Sequence, residues 1–213
     1  MRLEEVRNYP SGITIGEPWA GDRKQGAYRA GCEFAKEILG VGLGKCLVIG
    51  SALFEARELS ELGWDVTYLD LRDPKEPDLR VVVSDARDLP FPNKSFDAIS
   101  TTCVITHAGT GRYGDSLDFE HGDEIMLKEI ERVLKPGGRG ALSFGPCLGG
   151  AMVRLGTVHR AYTVDEVKRL MGLANLKLSE IRIWSDRQQK WVPQPLSLDP
   201  EEPDYVSVNA SKT

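Results

Sequence analysis

The residues best suited to chemistry fall into two groups. The first is a polar stretch punctuated by glycines, Ile105 to Asp123, which carries His107, Arg112, Tyr113, Asp115 and His121. It is too long and too polar for a mere connector, and loops of that length inside a compact domain are usually functional or disordered. An imidazole titrates near neutral pH, which makes His107 a candidate general base. Arg112 and Tyr113, set between glycines, could grip an anionic or polar acceptor, the arginine through its planar fork. They could equally pin the loop to Asp115 or Asp118. A later run, His159-Arg160-Ala161-Tyr162, precedes a helical pattern and could close over the same pocket. The histidines His107, His121 and His159 have no metal-ligand spacing, so no metal is expected. His121 reads as a solvated loop residue.

The second group consists of acids at strand ends. Asp70 closes Asp65-Val66-Thr67-Tyr68-Leu69 and lies twenty positions after Gly50. An acid at the end of the second strand of a βαβ unit can accept hydrogen bonds from a ribose. Asp85 closes a short run, Val81-Val82-Val83-Ser84. Either acid could instead cap its own turn. Together they imply a nucleoside-containing cofactor across the strand tips. A full G-x-G-x-x-G is absent, which speaks against a pyrophosphate and a nicotinamide enzyme.

These groups need a frame. Lys45-Cys46-Leu47-Val48-Ile49 runs into Gly50-Ser51-Ala52, as expected of a buried parallel strand ending in a sharp turn. A helix is expected from Gly26 to Leu39, and another from Leu53 to Leu62, closed by Gly63. Leu71 to Leu79 and Ala86 to Asp97 hold prolines and read as loops. Ala98 to Val104 is expected as the fourth strand. The stripe Ile125, Met126, Ile130, Val133 and Leu134 predicts a helix stopped by Pro136-Gly137-Gly138, with a fifth strand over 140–144. Gly145–Arg160 is ambiguous. Thr163-Val164-Asp165-Glu166 is a capping box before a fourth helix. Leu176 to Trp184 and Asp204 to Asn209 read as a closing antiparallel pair. The fold class expected is a single-domain α/β structure, with a mostly parallel sheet, helices on both faces and an antiparallel edge hairpin. Residues 1–25 read as an N-terminal arm or lid, and 26–213 as the domain.

The composition suits a soluble globular protein of 213 residues, with 41% hydrophobic and 28% charged residues. The formal net charge of −5 argues against a large nucleic-acid surface. No apolar run is long enough to span a membrane. The four cysteines form no C-x-x-C pair and fit a reducing cytoplasm.

The chain resembles the class I, Rossmann-like methyltransferases that use S-adenosylmethionine (SAM). The resemblance rests on the strand running into Gly50, on Asp70, on Ser84-Asp85-Ala86-Arg87-Asp88-Leu89-Pro90-Phe91-Pro92-Asn93-Lys94-Ser95-Phe96-Asp97 and on Val133-Leu134-Lys135-Pro136-Gly137-Gly138. Ser51-Ala52-Leu53 replace the family's usual glycines. The resemblance implies cofactor contacts at Gly50 and Ser51, at Asp70 with Leu71 for the ribose, and at Asp85 with Ala86 for the adenine. A narrower resemblance joins Gly50-Ser51, Phe54-Glu55, the His107–Asp115 loop and His159-Arg160-Ala161-Tyr162 to an uncharacterised branch of methyltransferase-like proteins. The expected reaction is methyl transfer to a small-molecule or glycan-type acceptor. His107 would be the catalytic base, and Arg112, Tyr113, His159 and Arg160 would face the acceptor. The alternative is a regulatory module that binds SAM or a nucleoside without catalysis.

Overall fold

The computed structural model describes residues 22–50, 53–113, 115–118, 120–149, 153–155, 159–197 and 204–213. The proposed arm falls almost wholly outside these residues, although α1 already begins at Asp22 and runs to Leu39. Strand β1 (Lys45–Ile49) alternates between two cores. Cys46 and Val48 pack with Phe34, Leu39, Ala56 and Leu59, on the side of α1 and α2 (Leu53–Glu61). Leu47 and Ile49 pack with Met126, Leu127, Ile130 and Leu170, on the opposite side. A strand buried on both faces has to read as an unbroken apolar run, as this one does.

Strands β2 (Asp65–Asp70), β3 (Arg80–Val83), β4 (Phe96–Thr102) and β5 (Leu134–Cys147) complete the parallel part. No helix joins β2 to β3 or β3 to β4, as the prolines of both loops predict. After β4 the chain makes a short 3₁₀ turn, Ile105–His107, before α3 (Gly122–Val133). The fourth strand thus ends two residues earlier than expected.

Helix α3 stops at Val133, and β5 begins at once, with Leu134 paired to Phe96. Pro136-Gly137-Gly138 therefore lies inside the strand's irregular start rather than between helix and strand. The ambiguous Gly145–Arg160 stretch holds the end of β5 and a small antiparallel pair, β6 (Val153–Leu155) with β7 (His159–Ala161). Helix α4 (Val164–Leu173) opens on the expected cap: the Thr163 side chain accepts from the Glu166 amide.

Strands β8 (Lys177–Ser185), β9 (Lys190–Val192) and β10 (Asp204–Ser211) follow. The eight-stranded order is β3-β2-β1-β4-β5-β10-β8-β9. The expected antiparallel pair is β8 with β10. It belongs to the antiparallel edge of the sheet, where β10 lies between β5 and β8 and the unexpected β9 is outermost. No helix among the described residues is long and apolar enough to cross a membrane.

Candidate functional site

A cleft with about 720 Å³ of empty space opens over the carboxyl ends of β1 to β4. This is where ligands bind in open parallel sheets. Gly50, Asp70, Leu71, Asp85 and Ala86 line it from one side, His107 and Tyr113 from the other. Ser51 lies outside the described residues.

Gly50 forms the floor of the turn. Its φ is +57°, and a Cβ added there would lie 2.9 Å from Val104 Cγ2. A side chain would thus be both strained and crowded, and only glycine leaves the backbone open to a ligand. Glu55, in the first turn of α2, is 1% exposed. Ser100 donates a short hydrogen bond to it from its hydroxyl, and the Cys32 thiol donates over 3.6 Å. Burial raises the Glu55 carboxyl above the usual range, against the pull of Ser100, Thr102 and Cys32.

The two strand-end acids differ in what they can still accept. A carboxylate offers about four acceptor positions. Asp70 Oδ1 accepts from the Arg72 amide at 3.0 Å and Oδ2 from the Tyr68 hydroxyl at 3.2 Å. It therefore caps its turn and keeps one position on each oxygen, which matches the two hydroxyls of a ribose. Asp85 is engaged by Arg87. Its Oδ1 accepts from the Arg87 amide (2.9 Å) and Nε (3.1 Å), and its Oδ2 from Nε (3.2 Å) and Nη2 (2.6 Å). Partial burial pushes the Asp85 carboxyl up, but the hydrogen bonds and charge of Arg87 outweigh it and hold the group below the usual range.

The far wall is a wound loop. Thr110 returns its amide to the His107 carbonyl at 3.1 Å, and Asp118 donates its amide to the Gly109 carbonyl at 2.9 Å. Gly109 has φ +75°, and a Cβ there would lie 2.3 Å from the Asp118 carbonyl. Two arginines from outside the loop clamp it. Arg87 donates to the Ser116 carbonyl at 2.9 Å and hydroxyl at 3.0 Å. Arg160, 1% exposed, donates to the carbonyls of Ala108 (2.6 Å) and Asp118 (3.2 Å) and lies 3.6 Å from Asp123.

The His107 ring meets that of Tyr113 edge-on at 5.3 Å and that of His159 at 6.1 Å. The guanidiniums of Arg72 and Arg112 stand 5.3 and 5.5 Å from the Tyr113 ring centre. Burial raises the Tyr113 phenol, with Arg112 and Arg72 pulling the other way. Arg112, His159 and Arg160 are not among the residues that line the cleft. Arg112 and His159 stand behind its lining residues, whereas Arg160 is a buried fastener.

Sequence reasoning passed over Arg72 and Cys103, and gave Asp115 only as an anchor for its neighbours; all three line the cleft. Tyr28, on α1, lines it too. Asp97, by contrast, accepts from the Lys45 amide at 2.9 Å and Lys135 Nζ at 2.7 Å, as a structural cap would. No group of three or more His, Cys, Asp or Glu side chains suited to a metal occurs among the described residues.

The donor set fits SAM. An open glycine turn would lie by its amino-acid part, Asp70 has two free acceptor positions for the ribose, and the β3 tip leaves a partly apolar slot for the base. Comparison with known proteins agrees. Residues 47–142 match the family model described as "Methyltransferase domain". Curated proteins give no match. Among solved structures, the chain is similar to the 1,6-didemethyltoxoflavin-N1-methyltransferase of Burkholderia thailandensis, solved with 1,6-didemethyltoxoflavin and S-adenosylhomocysteine bound (TM-score 0.65, 20% identity, 88% of this chain and 78% of that one). It is also similar to the cyclase SpnF (0.67, 17%, 97% and 90%). A third similar structure is a SAM-dependent methyltransferase of Mesorhizobium loti (0.59, 16%, 90% and 99%). Residues 47–142 thus match a methyltransferase domain, and the chain has the Rossmann-like fold of these solved S-adenosylmethionine-dependent methyltransferases.

Proposed function

We propose that the protein transfers the SAM methyl group to a small molecule that enters the cleft beside His107 and Tyr113. The observation that carries this is the single cleft joining Gly50, Asp70 and Asp85 to His107 and Tyr113. When bound, SAM supplies a methyl group already activated by the positive sulfur. The protein's task is then mainly alignment, which is worth up to about 7–11 kcal/mol in well-oriented cases. Asp70 holds the ribose hydroxyls, with Leu71 against the sugar. Gly50 leaves room for the amino-acid part, and Asp85 and Ala86 border the base. His107 takes the proton of an acceptor hydroxyl or amine as it attacks. His159 backs the His107 ring and keeps it facing the cleft. Tyr113, flanked by Arg112, offers the acceptor an aromatic edge and a nearby positive charge. Arg160 holds the loop that carries His107 and does not touch the acceptor. A small acceptor agrees with the 1,6-didemethyltoxoflavin bound in the similar Burkholderia structure.

S-adenosylhomocysteine tests the first part. At about a hundred times its dissociation constant it should stabilise the fold by about 2.7 kcal/mol. No thermal shift at millimolar ligand would sink the cofactor assignment for this cleft. The second part is tested with labelled SAM and a panel of small hydroxyl and amine acceptors. His107→Ala should abolish transfer and leave the thermal shift intact. A panel that yields no transfer by the wild type, despite a full shift, would favour the non-catalytic module.

A further inference from the structure

Arg72 lines the cleft just past the tip of β2, and its side chain is 47% exposed. Its amide caps Asp70, but its guanidinium stands 3.7 Å from that carboxylate, beyond hydrogen-bond reach. Among the described residues its guanidinium N–H groups donate no hydrogen bond. What the guanidinium meets instead is the Tyr113 ring, whose centre lies 5.3 Å away, and Arg112 stands 5.5 Å from the same centre. One ring of the 105–123 loop thus gathers two positive charges, one from the β2 tip and one from the loop itself.

The acids that line the cleft do not cancel this charge. Asp85 and Asp115 lie 2.6 and 3.9 Å from Arg87 Nη2, so both face a third arginine. Asp70 balances one charge only, and its remaining acceptor positions go to the ribose in the reading above. The Tyr113 end of the cleft is therefore left positive in a chain whose formal net charge is −5. An arginine laid over an aromatic ring keeps its N–H edge available, and its planar fork matches a carboxylate through two parallel hydrogen bonds.

The same end is aromatic. Tyr28 and His107 line the cleft with Tyr113, and the His107 and Tyr113 rings meet edge-on at 5.3 Å. Burial raises the Tyr28 phenol, with Tyr113 adding to the rise and Arg112 opposing it, as expected of side chains that share one pocket end.

We propose that the acceptor is a planar aromatic carboxylate, whose ring lies among Tyr28, His107 and Tyr113 and whose carboxylate takes the fork of Arg72, with Arg112 adding charge. This rests on methyl transfer in this cleft as proposed above; it adds the chemical class of the acceptor and the residue that reads it. The hydroxyl or amine to be methylated then stands toward His107, and the carboxylate anchors the opposite end.

The test titrates benzoate, benzamide and benzylamine, which share a ring and differ in charge, into the protein saturated with S-adenosylhomocysteine, read by ligand-observed NMR. The wild type should bind benzoate about 10-fold tighter than benzamide, the range of a hydrogen bond to a charged group, and benzylamine weakest. Added salt should narrow the gap. Arg72→Gln should bring benzoate down to the benzamide level and leave the affinity for S-adenosylhomocysteine near wild type. Arg72→Lys, which keeps the charge without the fork, should retain part of the preference. Equal binding of benzoate and benzamide by the wild type overturns the proposal. So do tighter binding of benzylamine, no binding of any of the three, or a preference that survives in Arg72→Gln. If Arg72→Gln weakens S-adenosylhomocysteine as much as benzoate, Arg72 serves the cofactor and the proposal fails. If the protein takes no S-adenosylhomocysteine, the cofactor reading fails, and the same titrations on the ligand-free protein still decide whether Arg72 selects a carboxylate.

Discussion

Arg160→Met separates a buried fastener from an acceptor-binding arginine. The wild-type guanidinium is fully enclosed, donates to two loop carbonyls at 2.6 and 3.2 Å and stands 3.6 Å from Asp123. Methionine fills similar space but withdraws the donors and leaves Asp123, itself 4% exposed, facing a neutral side chain. The Tyr162 hydroxyl, 3.0 Å from Asp123, is the remaining donor from a neighbouring side chain. Removing one partner of such a buried pair destabilises by about 3–5 kcal/mol. For a chain of this size that is a fall in melting temperature of about 6–20 °C. The assay is thermal unfolding by circular dichroism, with limited proteolysis of the 105–123 loop as a local readout. Arg160→Lys should recover only part of the loss, because one ammonium cannot span two carbonyls as the fork does. Adding Asp123→Asn should be less harmful in the Arg160→Met background than alone, since the two groups are coupled. A melting temperature within about 2 °C of wild type, together with weaker acceptor binding, would refute the fastener reading and return Arg160 to the acceptor site.

Two further perturbations test the turn and the acid beneath it. Gly50→Ala forces a left-handed alanine against Val104, at a cost of about 1–2 kcal/mol. It should lower the urea midpoint at an unchanged slope and weaken S-adenosylhomocysteine binding; unchanged values for both would mean that the turn gives way freely. Glu55→Gln tests the buried carboxyl. Its folded pKa is raised, so between the unfolded value of about 4.3 and the folded one the native state keeps a proton that the unfolded state has lost. Wild-type stability therefore falls as pH rises through that window. The variant lacks this slope, and its stability relative to wild type should improve from pH 5 to pH 8. Parallel curves for the two proteins would reject the assignment.

Elements whose cause is local were legible in the sequence. The Thr163–Glu166 box acts within one helical turn, and the two-sided burial of β1 is written in its own five residues. The turn at Gly50 and the acid at Asp70 likewise follow from strand endings. What escaped depends on distant partners. Leu134 enters β5 because Phe96 is there to pair with it, against the local breaker signal of Pro136-Gly137-Gly138. Strands β6, β7 and β9 are three residues each, too short for any period to show. Arg160 looked like a surface ligand because a charged residue is seldom fully buried, and its partners Ala108, Asp118 and Asp123 are remote in sequence. Asp115 gains its position from Arg87, across the cleft, which no spacing rule reports.

The placement of β10 bears on synthesis. Every described residue that lines the cleft lies between Tyr28 and Met126, and the parallel strands that carry it are complete by Cys147. Strand β10, residues 204–211, then threads into the interior of the sheet between β5 and β8. During translation the chain therefore emerges with its cofactor cleft already encoded while β5 and β8 still show open edges. Such edges are the surfaces on which unfinished sheets aggregate. A cofactor bound early would steady the leading half on the ribosome, while sheet closure waits for a non-local pairing that is intrinsically slow.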